Sequence, residues 1–419
     1  MRIAKKIFLL GAVLLAALAL GAGAGAQTAK NREVWVGSWA SSQQIPEPRN
    51  SITPDDLRDA TMRQVVRLSV GGAELRVHIS NDFGTQPLRF ESVHIARAVA
   101  PGSSAIEPGT DRALTFSGSE SVTVPAGAEY ISDPIKYPVA PLTNLAISFY
   151  IEAPPAQETG HPGSRTTTFY EHGDLVSAAS MPGANEVEHW YQVSGVDVLA
   201  PAGAAAVVAL GDSITDGHAT TTNGNNRWTD VLAERLQASP ATRKTGVLNA
   251  GIGGNRVLLD GLGPNALARF NRDVLAPAGV RWVIVFEGVN DLGTFGFQGA
   301  ASPQANEDLV KSLISAYQQM ITRAHAHGIE VIGATITPFE GSFYDRRPGL
   351  PVEADWKEIN AWIRAPGHFD AVLDFAKVIE DPSQPDRLLP AYDSGDHLHP
   401  NPAGYRALGD SIPLTLFER

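Results

Sequence analysis

The stretch Val207-Val208-Ala209-Leu210-Gly211-Asp212-Ser213-Ile214-Thr215-Asp216-Gly217 decides how this chain is read. A short apolar run stops abruptly at Gly-Asp-Ser, the pattern of a buried strand that delivers a serine to a tight turn. A lone serine in such a place more often caps a helix than does chemistry. Two later stretches change that balance. Gly288-Val289-Asn290-Asp291 also closes an apolar run, and Asp396-His397-Leu398-His399-Pro400-Asn401 lies near the C-terminus. A serine, an asparagine and an Asp/His pair are the parts of an acyl-transfer site.

Working outward, the rhythm around this stretch is strand and helix in alternation. Strands are expected at 205–210, 246–250, 282–286, 330–335 and 371–375. Between them, Trp228, Val231, Leu232 and Leu236 fit one helical face, and Leu309, Leu313, Tyr317, Met320, Ile321 and Ala324 fit another, with Gly328 as a stop. Trp356, Ile359 and Ile363 fit a third, and Pro402 opens a last helix. Alternating units of this kind imply an α/β domain, a parallel sheet with helices on both faces. Function in such sheets sits at the carboxyl ends of the strands, where Gly-Asp-Ser and Gly-Val-Asn-Asp both fall.

Upstream of the small-residue joint Pro201-Ala202-Gly203-Ala204 the pattern is β, over 34–198. Leu75, Val77 and Ile79 alternate with Arg76, His78 and Ser80, the period of a half-buried strand. The Gly71-Gly72 pair between this run and 63–70 predicts a hairpin. Further short runs separated by Gly, Pro, Asn and Ser predict an antiparallel β-sandwich or jelly roll.

Composition narrows the classes. The 419 residues carry a net charge of −12, and there is no cysteine. Disulfides, thiolate metal sites and a cysteine nucleophile are excluded. Nucleic acid is disfavoured as a partner, because phosphate affinity needs clustered Lys and Arg. The N-terminus reads as a signal peptide over 1–26: Arg2, Lys5 and Lys6, then an apolar stretch over 7–20, then Ala24-Gly25-Ala26. Cleavage near Gln27 removes those three basic residues and no acid, taking −12 to −15. A secreted protein, periplasmic or extracellular, is expected, with no stable membrane insertion after cleavage.

A serine hydroxyl needs a base, a group that orients the base, and donors for the oxyanion. Ser213 is the candidate nucleophile and His399 the candidate base. Asp396, three residues earlier, is placed to reach the second imidazole nitrogen. Asn290 offers a side-chain amide, and Gly254, in Asn249-Ala250-Gly251-Ile252-Gly253-Gly254-Asn255, offers an unobstructed N–H, with Gly253 as its rival. The N–H of Ser213 is the third donor. Asp212 and Asp291 read as loop-amide partners; Glu287, just before Gly288, could enter the site, but a strand-end carboxylate is more often a turn partner.

With these residues in place the chain resembles the SGNH (GDSL) hydrolase family. Its four blocks are met by Gly-Asp-Ser at Ser213, the glycine block at Gly254, Gly-x-Asn-Asp at Asn290, and Asp-x-x-His at Asp396 and His399. The resemblance covers 203–417 and implies a flavodoxin-like three-layer α/β/α domain. It also implies metal-free ester hydrolysis through an acyl-enzyme, with no cofactor. The half over 34–198 resembles, more loosely, the β-sandwich that precedes this domain in some secreted bacterial members. Short acyl esters on a small-molecule or glycan alcohol are the expected substrates. A lipase, lysophospholipase or arylesterase is the enzymatic alternative, and a non-catalytic glycan-binding protein the alternative of another class. The Asp396-His397-Leu398-His399 string also invites a metal reading, but no feature nominates further ligands. His325 and His327 read as surface groups at a helix end. Trp35, Trp39 and Trp190 read as core aromatics before a sugar platform.

Overall fold

A computed structural model describes residues 33–295, 297, 302–346 and 352–418. The expected signal peptide, 1–26, lies outside the described residues.

Each of the five expected parallel strands is present. They lie side by side in the order Thr245–Gly251, Ala205–Gly211, Val280–Phe286, Glu330–Ala334, Ala371–Leu373. By chain position this is 2-1-3-4-5, the flavodoxin-like order. The strand Ala205–Gly211 is buried at every residue, because helices cover both faces of the sheet. Trp228–Ala238 buries Trp228, Val231, Leu232 and Leu236, and Pro303–His325 buries Leu313, Tyr317, Met320, Ile321 and Ala324. Ser302 caps the latter helix through the Ala305 N–H, and Pro303 opens it where a missing N–H costs nothing.

Register places the ends of three strands level. Gly211 is opposite Gly251 on one side and Phe286 on the other. Ser213, Gly254 and Asn290 follow these ends within a few residues. This is the point where strand order reverses and neighbouring connections leave in opposite directions, the usual place for a ligand in such sheets.

The β-rich half contains, among the described residues, a five-stranded and a six-stranded antiparallel sheet. Leu75, Val77 and Ile79 from the first and Met62, Val66, Ile147 and Phe149 from the second enter one apolar cluster. That cluster continues into one face of the parallel sheet through Val36, Trp39, Leu248 and Ala250. The strand Val34–Ala40 runs so close to the parallel edge strand that a Cβ on Gly37 would lie 2.8 Å from Leu248. Gly37 N–H donates to Ala278 C=O at 2.9 Å, and Val247 N–H donates to Ser69 Oγ at 2.8 Å. The β-rich half thereby covers the edge of the parallel sheet, which would otherwise be open to pairing.

One expectation fails. Ala60–Arg67 and Gly72–Ser80 do not form a hairpin across Gly71-Gly72; they belong to different sheets. The connection is a corner. Leu68 and Val70 are buried, Leu68 N–H donates to Thr143 C=O, and Val70 N–H donates to Ser38 Oγ. A two-residue turn would have left those apolar side chains in solvent, so the chain crosses between sheets instead.

His78 links three strands of the five-stranded sheet. Its Nδ1 lies 2.9 Å from Glu129 Oε1 and its Nε2 3.0 Å from Asp197 Oδ2. Burial opposes the charge on His78, but the two carboxylates outweigh it and push the imidazole up to about 9. The folded value lies above the ordinary 6.5, so this stabilisation is complete below pH 6.5 and is lost as pH rises through about 9. Urea unfolding of wild type and His78→Gln across that window tests it. The variant should be less stable at pH 6, and the difference should shrink as pH passes about 9.

Candidate active site

The elbow at Ser213 is built by local rules. Asp212 Oδ1 accepts the Ile214 N–H at 2.9 Å and caps the short helix Ser213–Asp216. Gly217, at φ +94°, ends it by donating to Ser213 C=O. With Asp212 engaged at Ile214, no hydrogen bond among the described residues occupies the Ser213 N–H.

Ser213 Oγ lies 2.9 Å from His399 Nε2. On the other side of the ring, His399 Nδ1 lies 2.6 Å from Asp396 Oδ2. Asp396 Oδ1 accepts the backbone N–H of His399 at 2.8 Å and of Leu398 at 3.0 Å. Burial alone would raise the Asp396 carboxyl, yet the His399 ring and these amides hold it well below the usual carboxylate range. The carboxylate therefore stays charged opposite the ring that would carry a proton.

Gly254 sits in a turn closed by Asn255 N–H to Ile252 C=O, with φ +72°. A side chain there would be strained, and a Cβ would lie 2.5 Å from Leu262. No hydrogen bond among the described residues occupies the Gly254 N–H. Asn290 is buried and its amide is fixed at both ends: Nδ2 donates to Asn255 C=O at 2.8 Å, and Oδ1 accepts the Tyr344 hydroxyl. One Nδ2 proton is thus committed and the other is available. All five residues singled out from the sequence lie at this carboxyl end of the sheet.

Beneath them lies a group that carries no sequence signal. Arg269, on the helix Ala266–Phe270, is fully buried. Its Nη2 donates to Gly211 C=O at 2.9 Å, its Nη1 to Ala250 C=O at 2.6 Å, and its Nε to Asn255 Oδ1 at 3.0 Å. Asp273 Oδ2, 2.9 Å from Nη1, balances the charge. Asp291 acts as expected of a loop-amide partner, accepting Val257 and Leu258 N–H. Glu287 differs from expectation: it is fully buried, no hydrogen bond among the described residues reaches its carboxyl, and Arg269 Nη2 lies 3.6 Å away. Burial, aided by Asp291 and Asp216, pushes Asp212 up to about 7, and burial, aided by Asp212, pushes Glu287 well above the carboxylate range.

The metal reading fits poorly. His397 turns to Asp393, its Nδ1 2.6 Å from Oδ2. Ligand atoms of His218, Asp396 and His399 do lie within 4.8 Å of one another. Both ring nitrogens of His399 are already engaged, however, and His218 Nδ1 faces the Arg165 guanidinium. Trp39 and Trp190 pack edge to face in the buried core, and His325 and His327 lie exposed at the helix end.

Residues 209–407 match the GDSL-like lipase/acylhydrolase family. Over these residues the chain carries a GDSL-type hydrolase domain. The protein is accordingly a carboxylic ester hydrolase of the GDSL type, with a β-rich N-terminal half. No curated protein sequence matches the chain. Among solved structures it is similar to a GDSL-like lipase from Bacteroides thetaiotaomicron, at 22% identity over 49% of this chain and 85% of that one, TM-score 0.36. It is also similar to an acetyl xylan esterase at 22% identity, covering 49% and 96%, TM-score 0.37. An acetylxylan esterase from Geobacillus stearothermophilus shares 19% identity over 49% and 91%, TM-score 0.37.

Arg269 gives a direct test of how the esterase holds its elbow. Arg269→Met takes one of two guanidinium partners from buried Asp273 and a donor from Ala250 C=O and Asn255 Oδ1, and should cost about 3–5 kcal/mol in urea unfolding. Arg269→Lys should not restore stability, because one ammonium cannot reach both strand ends and Asn255 together.

Proposed function

We propose that the GDSL-type esterase works through Ser213, His399 and Asp396, and that it cleaves short-chain acyl esters of a small-molecule or carbohydrate alcohol. The observation that carries the mechanism is the unbroken chain Ser213 Oγ, His399 Nε2, His399 Nδ1, Asp396 Oδ2, with links of 2.9 and 2.6 Å. Ser213 Oγ attacks the ester carbonyl as His399 Nε2 takes its proton, and Asp396 holds the imidazolium. The Ser213 and Gly254 N–H groups and Asn290 Nδ2 receive the oxyanion. His399 returns the proton to the departing alcohol. Water, deprotonated by the same ring, then releases the acid and frees the serine. Export through the 1–26 segment belongs to this reading and suits an extracellular ester.

The acidic charge and the appended β-rich half support a carbohydrate-borne acetyl group. A specific observation supports a second reading, a longer acyl chain or an aryl ester. The Leu262 side chain lies against Gly254, and Phe343 and Phe297 flank Tyr344, whose hydroxyl holds Asn290. These side chains are exposed, Phe297 by 52% and Leu262 by 38%, so the oxyanion donors are rimmed by apolar surface.

Initial rates on p-nitrophenyl esters from acetate to palmitate test both. Ser213→Ala should abolish turnover, and Asn290→Ala should lower kcat by about 10²–10³. Full activity in Ser213→Ala, or activity lost to a chelator, would overturn the mechanism. A maximum at acetate supports the short-chain reading, whereas a maximum at octanoate or beyond replaces it with the second.

A further inference from the structure

Among the described residues, the segment 160–167 carries the β-rich half to the side of the elbow. His161 Nε2 lies 2.8 Å from Asp216 Oδ1, at the end of the elbow helix, and His161 Nδ1 lies 2.9 Å from Ser42 C=O. Arg227 spans the same junction, its Nε donating to Asp216 C=O and its Nη2 to Ser164 C=O. Gly163 passes so near Asp216 that a Cβ there would overlap its carboxylate. Arg165 follows at φ +50°, a conformation that side chains rarely adopt. It is held there from the other half of the molecule. Asn223 N–H donates to Arg165 C=O at 2.9 Å, while Thr167 N–H donates to Asn223 Oδ1 at 2.8 Å. Strained backbone that the surroundings over-determine is a mark of a positioned side chain.

The side chain so positioned reaches His218. Arg165 Nη2 lies 3.1 Å from His218 Nδ1. A guanidinium only donates, so Nδ1 must carry the lone pair and the ring proton must sit on Nε2. The His218 ring in turn packs on His399, centroids 4.1 Å apart. The backbone of His218 is fixed as well, its N–H donating to Ser213 C=O and its C=O accepting the Tyr405 hydroxyl. Around the ring stand Arg165, His399, Asp396 and Asp216. Burial, with the His399 ring and the Arg165 guanidinium beside it, outweighs the two acids and pushes His218 down to about 4.

We propose that Arg165 of the β-rich half is a positioning residue for ester hydrolysis: by donating to His218 Nδ1 it keeps that ring neutral and seated against His399. A neutral neighbour holds His399 between Ser213 and Asp396 without opposing the charge His399 acquires in the transition state. A protonated one would repel it. The proposal rests on the Ser213/His399 mechanism above, and makes the β-rich half part of the catalytic apparatus rather than a detachable module.

The test uses the full chain and p-nitrophenyl acetate. Arg165→Gln and Arg165→Ala should lower kcat on the order of 10- to 100-fold with little change in KM, the scale of a misplaced catalytic group. They should also move the acid limb of the kcat/KM profile to higher pH, because His218 protonates more readily without the guanidinium. Arg165→Lys keeps the charge and should keep the limb near its wild-type position. In a His218→Ala background, Arg165→Ala should add no further shift of the limb. A wild-type kcat and limb in Arg165→Ala, or a limb shift that persists undiminished in the His218→Ala background, would overturn the proposal. Thermal melting of each variant separates these outcomes from unfolding. Turnover by Ser213→Ala would instead sink the underlying mechanism, whatever Arg165 does.

Discussion

A single buried guanidinium sets the geometry on which the rest depends. Arg269 donates to the carbonyls that end two adjacent parallel strands, Gly211 and Ala250, and to the side chain of Asn255. Ser213 leaves the first strand and the Gly254 turn leaves the second, so one planar, rigid fork fixes the distance between nucleophile and backbone donor. Burying that charge costs several kcal/mol unless it is matched. Asp273 matches it, and Ser42, from the β-rich half, adds a further acceptor at 3.1 Å. The surrounding acids bear the consequence. Asp273 is held down by Arg272 and Arg269 against its burial, whereas in Asp212 and Glu287 burial outweighs the pull of Arg269 and pushes both up.

Asn255 extends the same logic outward. Its side-chain oxygen accepts from Arg269, its side-chain nitrogen donates to Leu262 and Pro264 carbonyls, and its backbone carbonyl accepts from Asn290. Three of the separate sequence blocks are therefore joined through hydrogen bonds that leave few degrees of freedom. The triad adds the fourth, because Asp396 is tied to the backbone of the loop that carries His399. Preorganisation of this kind is what allows fixed donors to act on a developing oxyanion without reorganising. The β-rich half supports the elbow from the side, through His161, Ser164 and Arg165, and shares the apolar core beneath.

Much of the fold and of the site was legible in the sequence. The strand positions could be read because parallel strands covered on both faces are continuous apolar runs, as Ala205–Gly211 shows. The five site residues could be read because each follows such a run or lies in a short loop, where spacing alone carries chemistry. The hairpin at Gly71-Gly72 could not be read correctly. Two flanking strands look alike whether they pair with each other or with different sheets, and only the burial of Leu68 and Val70 distinguishes the cases. Glu287 was misjudged for a related reason: a carboxylate beside a glycine looks like a turn partner until its complete burial is seen.

Hydrophobic period and motif order are local properties, so the architecture of the C-terminal half and the groups at its strand ends follow from residue order alone. Which arginine lies under the elbow, which tyrosine holds Asn290, and how the β-rich half reaches the triad depend instead on long-range packing. Arg269 to Gly211, Tyr344 to Asn290 and Arg165 to His218 join residues more than fifty positions apart. An arginine in a helix or a loop has the same local signature whether it faces solvent or a buried ring of carbonyls. Its role is fixed by the packing that removes water from around it, and that packing exists only once both halves have come together.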